Sequence, residues 1–555
     1  MVVQKQMLEA FFPLKHIRDI QQTILNEMEK AYASNKRYII LEADTGIGKS
    51  AIAKTMSKYE ETSYCLTATT ALQDQYEKDF KRCGARIIKG QNNYQCVEDT
   101  KSDCLHGPCK YSDSKSYASC REKQCPYILA RRRAEAAEMY VTSYAYFMRA
   151  SMPHVNTLGN IEKRNLMIID ECHLLEDSLI DSCAFTIDRV KLNNVFKLSS
   201  SINSLGGAAR YMKRWNNEDD VYHWCKFVYH VMEAHLDRMY NQIGKAKYGN
   251  RSRMTADELS AVATIDTSKL IPLYDDLKSL YEKIDNFVNT TDISNWLIHI
   301  KTAQEVTITP MSCADLFKKM IDKYANKHVL FMSATVLNVK SFCRDMGIDY
   351  DDVYHIKAKS PFDPNKSPIY MDLIAPMTQS RFNASFPAVL EEIEEIMDKY
   401  PDKKGIIHTG SYKIMNEIIN HISEKNGNRL IYRTGFEKNE VLIEMHSQRK
   451  DGSGLISPSM MSGVDLKDDL CRFQIIVKLP YASLSDMRVQ KKMKQDHEWY
   501  TCKMLRSLVQ TCGRGTRSQD DWCDNYILDA TMEREMTVQN RDMLPEYFVE
   551  RMRNM

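Results

Sequence analysis

The 555-residue sequence lacks any run of about 18 apolar residues, so no helical membrane span is expected. It also lacks an excess of charge: 76 Lys and Arg stand against 74 Asp and Glu. Any surface for a polyanion must then be a local patch rather than a global field. Internal repeats and low-complexity tracts are missing, which argues against a solenoid. The first residues, MVVQKQMLEAFFPLKHIRDIQ, carry no apolar stretch of signal-peptide length behind a basic start. The expected setting is therefore cytoplasmic and reducing, where structural disulfides are not expected among the 16 cysteines.

What is present is a globular composition, 43% hydrophobic and 27% charged. The length calls for about three or four domains. Short apolar runs recur, each opening into a polar turn: YIILE at 38–42, YCLTAT at 64–69, MYVTSY at 139–144, LMIID at 166–170 and HVLFMSAT at 328–335. Continuous rather than alternating apolar strands, with helices between, predict a parallel sheet covered on both faces. A second set predicts another α/β domain without a phosphate loop of its own: GIIHTG at 405–410, RLIY at 429–432, GLISPS at 454–459, QIIVKLP at 474–480 and NYILDA at 525–530. Two stretches interrupt the first domain, a cysteine-rich window near 91–137 and a polar helical region near 188–295. In the latter, Val221, Trp224, Cys225, Val228, Val231 and Met232 share one helical face.

The segment ADTGIGKS, residues 43–50, joins an apolar strand to a stretch of helical spacing. Gly46 and Gly48 allow the backbone of Asp44, Thr45 and Ile47 to turn its N–H groups inward around phosphates. Lys49 supplies a mobile cation, and the Ser50 hydroxyl suits Mg²⁺. In LMIIDECHLLE, residues 166–176, a strand delivers Asp170 and Glu171 at its carboxyl end. Asp170 is placed to hold Mg²⁺ through water, and Glu171 to orient and deprotonate an attacking water. In QTCGRGTRS, residues 510–518, Arg514 and Arg517 are three apart and expected on one helical face, a pair suited to a γ-phosphate. Phosphate loop and arginines on two different α/β domains predict ATP as the ligand, with hydrolysis driving a motor.

Five cysteines, Cys96, Cys104, Cys109, Cys120 and Cys125, crowd the window from 91 to 125. Cys104/Cys109 and Cys120/Cys125 each enclose four residues, a spacing that suits structural zinc. Spacing alone leaves zinc and an iron–sulfur cluster level.

In order and spacing, these motifs resemble the XPD/DinG-like iron–sulfur branch of the superfamily-2 DNA helicases. The resemblance rests on the phosphate loop, the DECH box, Ser333-Ala334-Thr335, TATTALQDQY (67–76), VTSYAYF (141–147), GVDLKDDLCRFQIIVKLPYASLSD (463–486) and QTCGRGTR. It implies an α/β fold of two RecA-like parallel-sheet motor domains, with a cysteine-rich iron–sulfur insertion and a helical arch insertion in the first. The bounds it implies are 1–90, 138–187 and 296–350 for the first motor domain, 91–137 for the iron–sulfur domain, 188–295 for the arch and 351–555 for the second motor domain.

The same resemblance implies the site. Gly46, Gly48, Lys49, Ser50, Asp170, Glu171, Gln510, Arg514 and Arg517 form the ATPase centre, and Gln21 beside Arg18 reads adenine. Thr67, Thr69 and Gln73 contact a single-stranded backbone. Ser333 and Thr335 couple hydrolysis to motion, and Asp465 lies where the two sites meet. Asn93-Tyr94-Gln95-Cys96 and Cys125-Pro126-Tyr127 match the two ends of the family's cluster pattern. That pattern implies Cys96, Cys109, Cys120 and Cys125 around a [4Fe–4S] cluster, with Cys104 as the alternative to Cys109. The implied activity is an ATP- and Mg²⁺-dependent DNA helicase moving 5′→3′ on single-stranded and forked DNA, working as a monomer. The alternative is a DNA-dependent ATPase that remodels nucleoprotein complexes or acts on RNA–DNA hybrids. Two departures stand out: TATT replaces the usual Thr-Pro-Thr, and Ser143 stands where Asn is common.

Overall fold

The computed structural model describes residues 7–44, 46–110, 124–151, 161–199, 215–248, 254–263, 265–289, 292–435, 437–460, 466, 468–516 and 521–553. Four residues singled out above, Thr45, Cys120, Asp465 and Arg517, lie outside the described residues. The chain divides into two units. Unit one is Met1–Ile52, Met332–Cys343 and Val353–Met555, and unit two is Ala53–Phe331 and Arg344–Asp352.

In chain order the first ten strands are β1 (Tyr38–Glu42), β2 (Ser63–Thr67), β3 (Ala85–Ile87), β4 (Met139–Ser143), β5 (Arg164–Asp170), β6 (Phe185–Asp188), β7 (Trp296–Ile300), β8 (Glu305–Pro310), β9 (Ala325–Ser333) and β10 (Val353–Lys357). The rest are β11 (Ile369–Tyr370), β12 (Gly405–His408), β13 (Leu430–Ile431), β14 (Gly454–Ser457), β15 (Phe473–Ile476), β16 (Asp524–Ile527) and β17 (Met552–Arg553). One seven-stranded sheet has the order β10-β1-β9-β5-β2-β4-β3. A second seven-stranded sheet, β13-β14-β12-β15-β16-β11-β17, lies wholly in unit one. Its pairings are parallel. Both sheets follow from the sequence as expected: β2 and β12 are buried at every position, which requires cover on both faces. No helix among the described residues is long and apolar enough to cross a membrane.

Two implied domain bounds differ from what is observed. Val353–Lys357 pairs in register with Tyr38–Glu42, so the first sheet runs past residue 350. Only Ile356 of this strand is buried, so it lacks the continuous apolar run that marked its neighbours. Second, β6, β8 and β7 form a separate antiparallel sheet instead of joining a motor sheet. Phe185, Ile187, Trp296, Ile298, Val306 and Ile308 from this sheet share one core with the helices Glu218–Tyr248 and Thr267–Val288. Val221, Trp224, Cys225, Val228 and Met232 are buried in that core as the helical face predicted, with Val231 at its edge. Arg189 lies over the Trp215 ring at 3.7 Å, and burial lowers its guanidinium pKa.

The cysteine window is fastened to these helices. His106 bonds Asp103 through Nδ1 at 2.8 Å and Asp275, on the helix Thr267–Val288, through Nε2 at 2.7 Å.

Unit one holds a buried polar ladder across its sheet. His408 Nε2 lies 3.2 Å from Gln474 Oε1, and the Gln474 amide donates to Asn525 Oδ1 at 2.8 Å. The Asn525 amide continues to the Pro368 carbonyl at 3.1 Å. Nearby, His446 is satisfied as a neutral ring, bonded to the Leu470 carbonyl at 2.9 Å and to Ser453 Oγ at 3.0 Å. Burial lowers both histidines to about 4 from the ordinary 6.5. The unfolded chain therefore takes up protons between pH 6.5 and 4 that the folded chain refuses, so stability falls on acidification. Each histidine contributes up to about 1.4 kcal/mol per pH unit across that window. Urea titrations at pH 7, 6 and 5 are expected to show this loss for unit one, with a shallower slope in His446→Gln.

Candidate functional site

In unit one, Gly46 and Gly48 take φ of 82° and 92°, the left-handed region that only glycine enters freely. At Gly48 a Cβ would sit 2.5 Å from Gln21 Nε2, so close packing forbids a side chain as well. Arg18 donates to the Gly46 carbonyl at 3.0 Å and also to the Ile47 carbonyl, where Gln21 Nε2 adds a bond of 2.9 Å. The other end of the Gln21 amide accepts from the Arg18 N–H at 3.1 Å, and the side chain is buried. One end of that amide thus braces the loop and the other caps its own helix. Lys49 Nζ folds over the loop, 2.9 Å from the Ala43 carbonyl and 3.2 Å from that of Asp44. Asp44 accepts from Ser360 Oγ at 3.0 Å.

The strand before this loop ends in Glu42, a buried carboxylate that accepts from the Val336 and Leu337 N–H groups, both at 2.9 Å. His355 adds a pairing at 3.4 Å. Burial works to raise the Glu42 pKa, but the bonds from His355 and the Leu337 N–H outweigh it and lower it overall. Leu337 is left-handed at φ 64°. Immediately before it, Ser333 Oγ accepts from the Thr335 N–H at 3.0 Å, and Thr335 Oγ1 accepts from Gln510 Nε2 at 2.8 Å. The Ser-Ala-Thr turn and Gln510 are therefore brought together. Arg514 follows the end of the helix His497–Cys512, in a turn, and Arg517 lies outside the described residues. Gly513 and Gly515 supply the break, and a Cβ at Gly515 would overlap Cys523 Sγ and Cβ.

In unit two, β5 delivers Asp170 and Glu171 as expected. Glu171 is left-handed at φ 55°, a strained corner of the kind found where chemistry is done. Its N–H bonds Asp170 Oδ1 at 3.0 Å, and its carboxylate pairs with His173 at 3.4 Å. Tyr76 donates to Asp170 Oδ2 at 3.0 Å, and Tyr144 to the Asp170 carbonyl at 2.5 Å. Sequence reasoning missed Tyr76 and Glu42, since both act through partners distant in the chain.

The implied nucleic-acid contacts divide. Thr67 is buried, its hydroxyl donating to the Thr69 carbonyl at 3.1 Å, and Gln73 is buried with its amide 3.3 Å from the Ile88 carbonyl. Both shape the segment from within. Only Thr69, the exposed N-cap of the helix Thr70–Phe80, faces outward.

Among the cysteines, an antiparallel bridge between Gln95 and Asp103 folds the window into a hairpin that brings Cys96 and Cys104 inward, where both are buried. Cys104 Sγ lies 3.7 Å from Cys125 Sγ, and burial and the Cys125 thiol push Cys104 up to about 12. Gly107 leaves space for Cys96, whose Sγ a Cβ there would meet at 2.9 Å. Cys109, the favoured candidate above, instead lies on the short turn Pro108–Lys110 and is only half-buried. The structure thus places Cys104 beside Cys125. Among the described residues the thiols do not complete a metal-ligand set. The donor chemistry of the group, buried soft sulfurs, fits an iron–sulfur cluster or zinc. Hard oxygen donors at Ser50 and Asp170 fit Mg²⁺.

Comparison with known proteins adds the following. Residues 14–203 match the family described as Type III restriction enzyme, res subunit, and residues 393–548 match the Helicase C-terminal domain. The probable ATP-dependent helicase MJ0942 of Methanocaldococcus jannaschii is 22% identical, over 93% of this chain and 92% of its own. The ATP-dependent DNA helicase YoaA of Escherichia coli is 21% identical, over 94% and 92%. The Fanconi anemia group J protein homolog of Gallus gallus is 20% identical over 73% of this chain, which spans 40% of that protein's length. In fold, a solved XPD helicase structure aligns with a TM-score of 0.66 at 14% identity, covering 96% of this chain and 98% of the other. Xpd4 of S. tokodaii aligns at 0.57 and 15%, over 96% and 99%.

Glu42→Ala would strand the Val336 and Leu337 N–H groups, each at about 1–3 kcal/mol if left unpaired in a buried site. Denaturant unfolding should report a loss of that order, and a smaller one in Glu42→Gln, which keeps one carbonyl acceptor.

Proposed function

The chain resembles the XPD/DinG-like helicases of superfamily 2 in motif order, in sequence and in fold, and from that premise we propose that it is an ATP-dependent DNA helicase. It uses ATP hydrolysis to move 5′→3′ along single-stranded DNA and to part the duplex ahead of a fork. The observation that carries the catalytic reading is the Asp170–Glu171 corner. There a strained glutamate sits beside a carboxylate whose two oxygens are already oriented by donors.

In this reading the N–H groups of the loop from Asp44 to Ser50, with Lys49, hold the phosphates of ATP. Ser50 and Asp170 hold Mg²⁺, which neutralises phosphate charge when bound. Glu171 orients the attacking water and takes its proton, and His173 at 3.4 Å steadies the carboxylate for that task. Arg514 and Arg517 answer the charge that develops on the γ-phosphate. The Thr335–Gln510 bond gives the Ser-Ala-Thr turn a way to register the state of the arginine segment. Thr69 contacts the nucleic-acid backbone, and the helices around Glu218–Tyr248 and Thr267–Val288 form the arch.

The cysteine window holds a [4Fe–4S] cluster on Cys96, Cys104, Cys120 and Cys125, which ties together a segment with few apolar residues of its own. The 3.7 Å between Cys104 and Cys125 is close to the ~3.8 Å expected of two thiolates on one tetrahedral zinc and shorter than thiolates on two different irons of a cluster would stand, so zinc is the rival and a cluster requires these two sulfurs to move apart. The metal assay separates the two.

Lys49→Ala and Glu171→Gln should each lower single-strand-stimulated ATP turnover by at least about 10²-fold. Equal turnover of the wild-type protein with and without DNA contradicts the motor, whereas binding of a 5′-tailed fork without release of a strand points to remodelling. For the cluster, protein purified without oxygen should contain iron and sulfide. Cys104→Ser should lose the iron and Cys109→Ser retain it; zinc in place of iron removes the cluster and leaves the ATPase reading standing.

A further inference from the structure

We infer that Tyr76 is a positioning residue that links the helix carrying the nucleic-acid contact to the Mg²⁺-holding carboxylate. The inference rests on the proposed ATPase and deepens it. The helix Thr70–Phe80 begins at exposed Thr69 and turns Gln73, Tyr76 and Phe80 inward, a spacing of three and four that forms one buried face. Tyr76 is 1% exposed, and its hydroxyl donates to Asp170 Oδ2 at 3.0 Å. On that face the other polar link is weaker: the Gln73 amide reaches Ile88 at 3.3 Å, and its Oε1 finds no partner among the described residues. Tyr76 thus makes the shorter polar tie between this helix and the catalytic strand.

A phenol is rigid, with two torsions, so displacement of the helix is passed to its hydroxyl rather than absorbed along a flexible chain. Oδ1 of the same carboxylate is held by the Glu171 N–H at 3.0 Å. Weakening the bond at Oδ2 would therefore change how the carboxylate presents its lone pairs to the Mg²⁺ it would hold. A nucleic-acid strand on Thr69 would in this way alter how well Asp170 receives Mg²⁺. The sequence carries no sign of it, since Tyr76 and Asp170 lie 94 residues apart.

The test is Tyr76→Phe, which removes the hydroxyl and keeps the ring. With a non-hydrolysable ATP analogue bound, Mn²⁺ affinity read by electron paramagnetic resonance should fall about tenfold. Stimulation of ATP turnover by single-stranded DNA should fall by a similar factor, while affinity for labelled single-stranded DNA by fluorescence anisotropy stays unchanged. Phe80→Leu serves as the packing control: Phe80 lies 6.1 Å from the Tyr76 ring on the same buried face. It should leave Mn²⁺ affinity at the wild-type value. Wild-type Mn²⁺ affinity in Tyr76→Phe, or an equal loss in Phe80→Leu, overturns the inference. A wild-type protein that DNA does not stimulate overturns the proposed function instead.

Discussion

The carboxylate of Glu42 is the joint on which unit one turns. It ends the strand that feeds the phosphate loop, yet its Oε1 accepts from both the Val336 and Leu337 N–H groups just past the Ser-Ala-Thr turn, while Oε2 faces His355. That turn is in turn bonded to Gln510, two residues before the end of the helix that leads to the arginine segment. Arg506 of the same helix reaches the Val336 carbonyl at 3.3 Å. Loop, turn and helix are therefore placed by one chain of short polar contacts. A buried carboxylate is costly unless so satisfied, and the cost makes the arrangement specific: no other acceptor nearby would hold both N–H groups with comparable strength.

What could be read from the sequence follows from how local each signal is. The phosphate loop and the Asp-Glu box are legible because strand, turn and chemistry are contiguous, and the structure places them as read. Five strands of each parallel sheet are legible for the same reason, announced by a continuous apolar run. β10 was missed because only one of its five residues is buried. Pairing across the small antiparallel sheet was missed because Phe185 and Ile308 lie far apart in the chain. Thr67 and Gln73 show the opposite error. Their motif was recognised, but whether a polar side chain points out or in depends on carbonyls at Thr69 and Ile88 that only the fold supplies.

The cysteine window makes the same point in a different currency. Spacing preferred Cys109, but the bridge between Gln95 and Asp103 doubles the chain back and delivers Cys104 to Cys125. His106, two residues later, is bonded to Asp275. A counted gap between ligands measures contour length, whereas ligation is decided by where the hairpin closes.

Two of the six non-glycine residues with positive φ among the described residues share a device. Glu171 and Leu337 are non-glycine residues in the left-handed region, each just beyond the end of a central strand, β5 or β9. Such a conformation costs on the order of 1–3 kcal/mol. In both cases the N–H of the strained residue is held by a carboxylate, Asp170 for the first and Glu42 for the second. A charge-assisted bond of this kind is worth about 1.5–3 kcal/mol, so each corner sits near balance rather than deep in a well. Near balance is what a switching motor needs. A carboxylate that must also serve Mg²⁺, as proposed for Asp170, then adjusts the corner beside it at little energetic cost. At the other corner the Glu42 carboxylate is shared with His355, so in the proposed function the Asp170 corner is the adjustable one. Tyr76 bears on the adjustable one.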